Sequence, residues 1–277
     1  VMGDTDKAES YRETAATARE AWNEFFIDPD TGKTKNTKGE IQDTQASYAT
    51  PLRFHVVSDE NLEKVLENYN ATIAEASGED SDGMPIVPYT LTTGFNATGN
   101  LLNALSDYGL NDTAYKLFES TDYASWLYPV TQGATSIWER WNGYTNELGF
   151  NGNNSMNSFN HYAYGAIGEW MYRAMAGIEA DLEHPGFKHA ILYPRIGGNL
   201  KYTAGKYHSI YGDVGVKWEV QGKQITLTVQ IPVNTTAEIR LDQAKAVLES
   251  DGLTFTREAD YMAAEAGSGT YHIAFEQ

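Results

Sequence analysis

From Asp6 to Phe26 the apolar positions fall at Ala8, Tyr11, Ala15, Ala18, Trp22 and Phe25, in alternating steps of three and four. That spacing predicts an amphipathic helix, and Asp28-Pro29-Asp30-Thr31-Gly32 ends it. Gln42 to Val57 reads as a second helix interrupted by Pro51. Ser58 is placed to cap a third, in which Leu62, Val65, Leu66, Tyr69 and Ile73 form the buried face. Ser77 to Pro88 is polar, carries Gly83, Pro85 and Pro88, and is long enough to be a working loop. Helical spacing resumes over Asn96 to Tyr108, with Leu101, Leu102 and Leu105, and over Asp112 to Glu119, with Asn111 as its expected cap. An irregular aromatic stretch, Thr121 to Asn154, precedes the strongest helical pattern, Met156 to Ile178, striped by Phe159, Ala163, Ile167, Trp170, Ala174 and Ile178.

After Glu179 the period changes to two. Val214, Val216, Trp218 and Val220, then Gln221-Gly222-Lys223-Gln224, then Ile225, Leu227, Val229 and Ile231 spell a β-hairpin. Ala237, Ile239 and Leu241 keep the same beat, as do Tyr271, Ile273 and Phe275 at the end of the chain. The chain therefore divides into a helical part, residues 1–183, and a β part, residues 184–277, with His184-Pro185-Gly186 as the joint.

Composition narrows the chemistry. The 277 residues include 6 Trp, 18 Tyr and 10 Phe, and 41% are hydrophobic, enough sticky surface to require a folded core. A formal net charge of −18 repels nucleic acid and anionic membranes and favours a neutral or cationic ligand. The absence of cysteine removes disulfides, thiolate zinc sites and a cysteine nucleophile. No apolar run reaches the roughly 18 residues of a membrane span, and the opening Val1-Met2-Gly3-Asp4-Thr5-Asp6 lacks the order of a signal peptide. The expectation is a soluble chain, cytoplasmic or secreted.

Trp126, Tyr128, Trp138 and Trp141 crowd a segment rich in Gly, Thr and Ser, without a helical period. They either wedge loop against helix or form a platform for the apolar face of a sugar ring, whose hydroxyls need a few aimed polar groups. Glu139 sits between two tryptophans in Ile137-Trp138-Glu139-Arg140-Trp141, where it is either a loop salt-bridge partner or a general base. In Met156-Asn157-Ser158-Phe159-Asn160-His161-Tyr162, Asn160 and His161 can bond hydroxyls, although a lone His at a helix start also serves structure. His55, His184, His189, His208 and His272 show no metal spacing, so no metal and no cofactor are expected. Phosphate-loop, dinucleotide and nucleophile-elbow motifs are absent. The run Glu79-Asp80-Ser81-Asp82 reads as solvated loop, with calcium a minor option.

Four stretches together carry a resemblance: Thr93-Gly94-Phe95, Ser125-Trp126-Leu127-Tyr128, Gly133 to Trp141, and Met156 to Gly165. Followed by His184-Pro185-Gly186-Phe187-Lys188, Tyr211-Gly212 and Ile231-Pro232, they resemble the bacterial-type α-L-rhamnosidases in order and spacing. The resemblance implies a mainly α chain followed by β: part of an (α/α)6 toroid, then a C-terminal antiparallel β-sandwich. It also implies an inverting glycosidase acting on a rhamnose-containing glycoside or polysaccharide. Glu139 matches the family's general base and His161 a residue that contacts the sugar; Trp126, Trp138 and Trp141 are candidates for the pocket wall. The family's general acid lies in an acidic motif with no counterpart here. A twelve-helix toroid takes about 350 residues, and the helical part has about 180. The expected partner is therefore a missing N-terminal part of the same enzyme, and the fragment alone is expected to be inactive or nearly so. The alternatives are a non-catalytic carbohydrate-binding or scaffolding relative, or a toroid glycosidase for another sugar.

Overall fold

The computed structural model describes residues 3–81, 83–150 and 155–277. Val1 and Met2 of the opening, Asp82 of the acidic run and the end of the aromatic stretch, 151–154, lie outside the described residues. The chain forms two compact units, 1–166 and 167–277.

In the first unit, α1 (Thr5–Phe26) begins at Asp4, whose side chain accepts from the Lys7 amide. Its Trp22 is half-buried, but no residue of the helix is fully buried, and Tyr11 and Phe25 of the stripe are exposed. Four further helices make two hairpins: α2 (Gln45–Arg53) with α3 (Asp59–Ala74), and α4 (Phe95–Asp107) with α5 (Asn111–Glu119). α2 packs along α4, and α3 along α5. The paired helices of the α2/α4 layer run in parallel. Near their C-terminal ends Arg53 pairs with Asp107 at 3.3 Å, and at their N-terminal ends Gln45 ties down Thr92. Short turns, 54–58 and 108–110, join the helices at one end, while the long connections 75–94 and 120–162 leave from the other. The core between the layers holds Tyr48, Leu52, Tyr69, Ile73, Leu101, Leu105 and Tyr115.

Several sequence boundaries shift for identifiable reasons. The second helix starts at Gln45 rather than Gln42, because Thr44 and Ser47 form a reciprocal capping box. Ser58 occupies the cap position of α3 without a side-chain cap bond, its amide donating instead to Asn23 Oδ1 at 2.9 Å. Asn111 is the first residue of α5, with Leu110 at the cap. The polar loop contains a small hairpin, β1 (Gly78–Glu79) with β2 (Pro85–Ile86).

The largest departure is the helix expected over Met156 to Ile178. Residues up to Tyr162 are irregular, since the backbone of Ser158 and His161 pairs with Glu139 and Ile137 instead of with its own next turn. Helical turns begin only at Ala163: a 3-10 turn (Ala163–Ala166), an α turn (Ile167–Trp170) and a π turn (Met171–Met175). Ile178 already belongs to a strand.

The second unit carries two five-stranded sheets. One contains β3 (Ile178–Ala180), β4 (His189–Leu192), β8 (Thr236–Asp242), β10 (Thr256–Arg257) and β11 (Tyr261–Ala266), in the order β10-β11-β8-β4-β3. The other contains β5 (Tyr202–Ser209), β6 (Gly212–Gln221), β7 (Gln224–Ile231), β9 (Ala246–Glu249) and β12 (Gly269–Glu276), in the order β5-β6-β7-β12-β9. Pairing is antiparallel except between β4 and β8. The hairpin read from the alternation is β6–β7, closing at Gln221 opposite Gln224. Its inward residues Val214, Val216, Trp218, Ile225, Leu227 and Val229 are buried, as the period-two pattern requires. His184-Pro185-Gly186 lies between the paired strands β3 and β4.

Candidate active site

The N-terminal ends of α2 and α4 and the segment 158–166 converge with the long connections, and the aromatic stretch settles there. Gln45, only 1% exposed, organises this end. Its amide donates to the Thr90 carbonyl at 2.8 Å and the Thr72 carbonyl at 3.2 Å, and its Oε1 accepts the Thr92 amide at 2.9 Å. α4 then packs against the 163–166 turn, where Gly99 leaves the room that the Ala166 methyl occupies.

Glu139 and His161 are held by one backbone clasp. The Glu139 amide donates to the Ser158 carbonyl at 2.9 Å, and the His161 amide to the Ile137 carbonyl at 2.9 Å. Ser136 Oγ adds a bond to the Phe159 carbonyl. The Glu139 carboxylate is half-buried and accepts the Ser158 amide on Oε2 at 2.8 Å, while Oε1 has no partner among the described residues. His161 Nδ1 accepts the Ala163 amide at 3.3 Å, which leaves the ring proton on Nε2. Asn160 is exposed, with its backbone amide donating to Ser158 Oγ.

A run of ring contacts links the rest. Trp126 meets Trp141 edge-on at 5.9 Å and donates its indole N–H to the Tyr164 carbonyl at 2.9 Å. Trp141 stacks on Tyr164 at 3.8 Å, Tyr164 meets Phe95 at 5.1 Å, and Phe95 stacks on His161 at 4.8 Å with 19° between planes. Trp138 packs edge-on against Phe159 at 5.0 Å. Burial pushes the Tyr164 phenol above its ordinary value; the charge of Arg140 opposes this and that of Glu139 adds to it, so both charges act on the Tyr164 hydroxyl.

Two clefts flank the cluster. An apolar one of about 330 Å³ is walled by Trp126, Pro129, Ile137, Trp138 and Trp141. A polar one of about 340 Å³ is bounded by Asp80, Thr92, Tyr123, Trp141 and Tyr164 among others. The three candidate tryptophans thus line a concavity, whereas Glu139, His161 and Asn160 line neither of these two. Phe95, Tyr164, Gln45, Thr92 and Tyr123 carried no role in the sequence reading, and Asp80 was read only as part of a solvated loop with calcium a minor option. For Phe95 a signal existed in the Thr93-Gly94-Phe95 stretch.

The bacterial alpha-L-rhamnosidase 6 hairpin glycosidase domain matches residues 1–175, and the C-terminal domain of the same family matches residues 177–255. The chain belongs to the bacterial α-L-rhamnosidase family. Among its relatives in that family, an alpha-L-rhamnosidase of Streptomyces avermitilis is 34% identical over 269 residues, spanning 96% of this chain and 24% of the relative. One from Formosa agariphila is 37% identical over 259 residues, 92% of this chain and 26% of the relative. The crystal structure of the Streptomyces avermitilis enzyme complexed with L-rhamnose superposes with a TM-score of 0.82 at 33% identity, over 96% of this chain and 24% of that one. The α-L-rhamnosidase structure from Dictyoglumus thermophilum gives 0.83 at 25% identity, over 100% of this chain and 30% of that one. This rhamnosidase-family chain thus spans about a quarter of the length of the curated relatives it matches. Its fold is that of the family: a helical hairpin domain followed by β-sheets.

Proposed function

We propose that this chain carries the water-activating side of an inverting α-L-rhamnosidase site, with Glu139 as the general base. The observation that carries the reading is the division of labour within one carboxylate: Oε2 is anchored by the Ser158 amide and Oε1 is left without a partner among the described residues. An anchored base with one open oxygen is what deprotonating a single oriented water requires. The stacking of His161 on Phe95 and the bond to its Nδ1 aim an Nε2–H donor, which suits a sugar hydroxyl.

In the proposed step an acid outside residues 1–277 gives its proton to the glycosidic oxygen as the bond from that oxygen to the rhamnose anomeric carbon breaks. Water attacks that carbon from the opposite face and passes its proton to Glu139. The products are the free alcohol and rhamnose of inverted configuration, and proton return through solvent resets both carboxyls. The two carboxyl groups of such a pair stand about 6.5–9.5 Å apart to admit the water. The exposed apolar stripe of α1 supports a further helical part packing there, as does the chain's share of its relatives' length.

The reading is tested by supplying the upstream part of a relative and following hydrolysis of an aryl α-L-rhamnoside by proton NMR. The β anomer of rhamnose should appear first, and the isolated chain should give no detectable turnover. Initial release of the α anomer, or robust turnover by the isolated chain, would overturn it.

A further inference from the structure

The second unit holds a cavity of about 500 Å³ that the hydrolytic reading leaves unused. It lies at the edges of both sheets, where β3 and β5 come together beside the π turn. Gly205 permits the approach of β5, because a Cβ there would meet the Ala176 methyl at 2.6 Å. Three aromatic side chains line the cavity: Tyr172 from the π turn, Phe187 from the His184-Pro185-Gly186-Phe187-Lys188 segment and Tyr207 from β5. Phe187 is held at φ 64°, a left-handed conformation that bulky side chains rarely adopt, and its ring packs on Tyr207 at 4.5 Å with 30° between planes. The charged groups in the lining are Glu169, Arg173 and Glu179. Arg173 Nε donates to Glu179 Oε1 at 2.8 Å, while Glu179 Oε2 and the hydroxyls of Tyr172 and Tyr207 have no hydrogen-bond partner among the described residues.

The lining selects its occupant. Tyr172 and Tyr207 are 49% and 43% exposed, so broad ring surface meets solvent beside oxygens still open to hydrogen bonding. A purely apolar occupant, whether a small hydrocarbon or an apolar helix face, would bury those hydroxyls and the ion pair without partners. An anion would meet two carboxylates and one guanidinium already committed to Glu179, and a cation would meet that guanidinium. A neutral pyranose satisfies both halves of the lining, with its apolar face against a ring and its hydroxyls on the tyrosine and glutamate oxygens. We propose that this cavity of the second unit binds a pyranose unit of a neutral glycan, as a carbohydrate-holding site that works without Glu139. Its consequence is avidity: a chain held on a polymer in this way meets the polymer's terminal sugars at raised effective concentration. None of the lining residues belongs to the proposed hydrolytic step, so the site stands or falls apart from it.

The test uses the full 277-residue chain labelled with nitrogen-15, titrated separately with a neutral rhamnosyl-glucose disaccharide, phenol and choline. The disaccharide should shift the backbone amides of Tyr172, Phe187 and Tyr207 saturably, and at lower concentration than phenol or choline. Tyr207→Phe, which keeps the ring and loses the hydroxyl, should weaken that binding about fivefold, the worth of one hydrogen bond. Tyr207→Ala, which loses the ring as well, should weaken it further, and Glu139→Gln should leave it unchanged. The proposal is overturned if the three amides do not move, or if phenol or choline saturates them at lower concentration than the disaccharide. It is equally overturned if adding the upstream part of a relative abolishes the shifts, which would make the cavity a contact between parts of the protein. Shifts at Ser158 and His161 report on the Glu139 reading instead, and are separable because they are read at different residues.

Discussion

Gln45 exemplifies how single polar side chains set this site. Buried at the start of α2, it closes three hydrogen bonds to two other segments, and no apolar residue of that size can replace them. Gln45→Leu leaves two carbonyls and an amide without their partners and should cost about 2–4 kcal/mol in urea denaturation, with the 90–95 connection loosened. A loss under about 0.5 kcal/mol would show that water takes over those bonds. Side chains such as this mark the limit of what a sequence discloses. Trp126, Trp138 and Trp141 announce themselves because their spacing fits no helix, and they do line a concavity. Asp80, Thr92 and Tyr123 are ordinary loop residues in sequence and acquire meaning only when tertiary packing brings their segments to one cleft.

At the scale of elements, the β-hairpin was legible because burial on one face imposes a period of two that nothing else produces, and β6–β7 pairs in that register. The segment after Met156 was not legible in the same way. Its apolar spacing suits a helix, but residues 158–161 gain more from pairing with 137–139, and that competition is non-local. The same sheet framework makes a pH-dependent prediction at Asp242, at the end of β8. Burial pushes its carboxyl above the ordinary value of 3.8, against the pull of Arg195 and the Tyr193 hydroxyl. A raised folded value means that this group's contribution to stability is full below the unfolded pKa and is lost as pH climbs through the folded one. Asp242→Asn removes that loss. Its stability relative to the natural chain should therefore rise as pH climbs above the ordinary carboxylate value of 3.8 in chemical denaturation. A difference that stays constant with pH would refute the assignment.

For the whole molecule, a net charge of −18 suits the neutral sugar proposed as ligand, and no helix among the described residues is long and apolar enough to cross a membrane. Among the described residues the chain holds two helical hairpins, an α1 whose apolar stripe is largely exposed, and two five-stranded sheets. Its chemistry is accordingly proposed as half of an acid/base pair. The most direct test is steady-state turnover and rhamnose binding, measured on the chain supplied with its upstream part, before and after Glu139→Gln. The account predicts a loss of at least about a hundredfold in kcat, the range for a general base, with rhamnose affinity within about threefold of the unaltered chain. A Gln variant that turns over at the unaltered rate would contradict it.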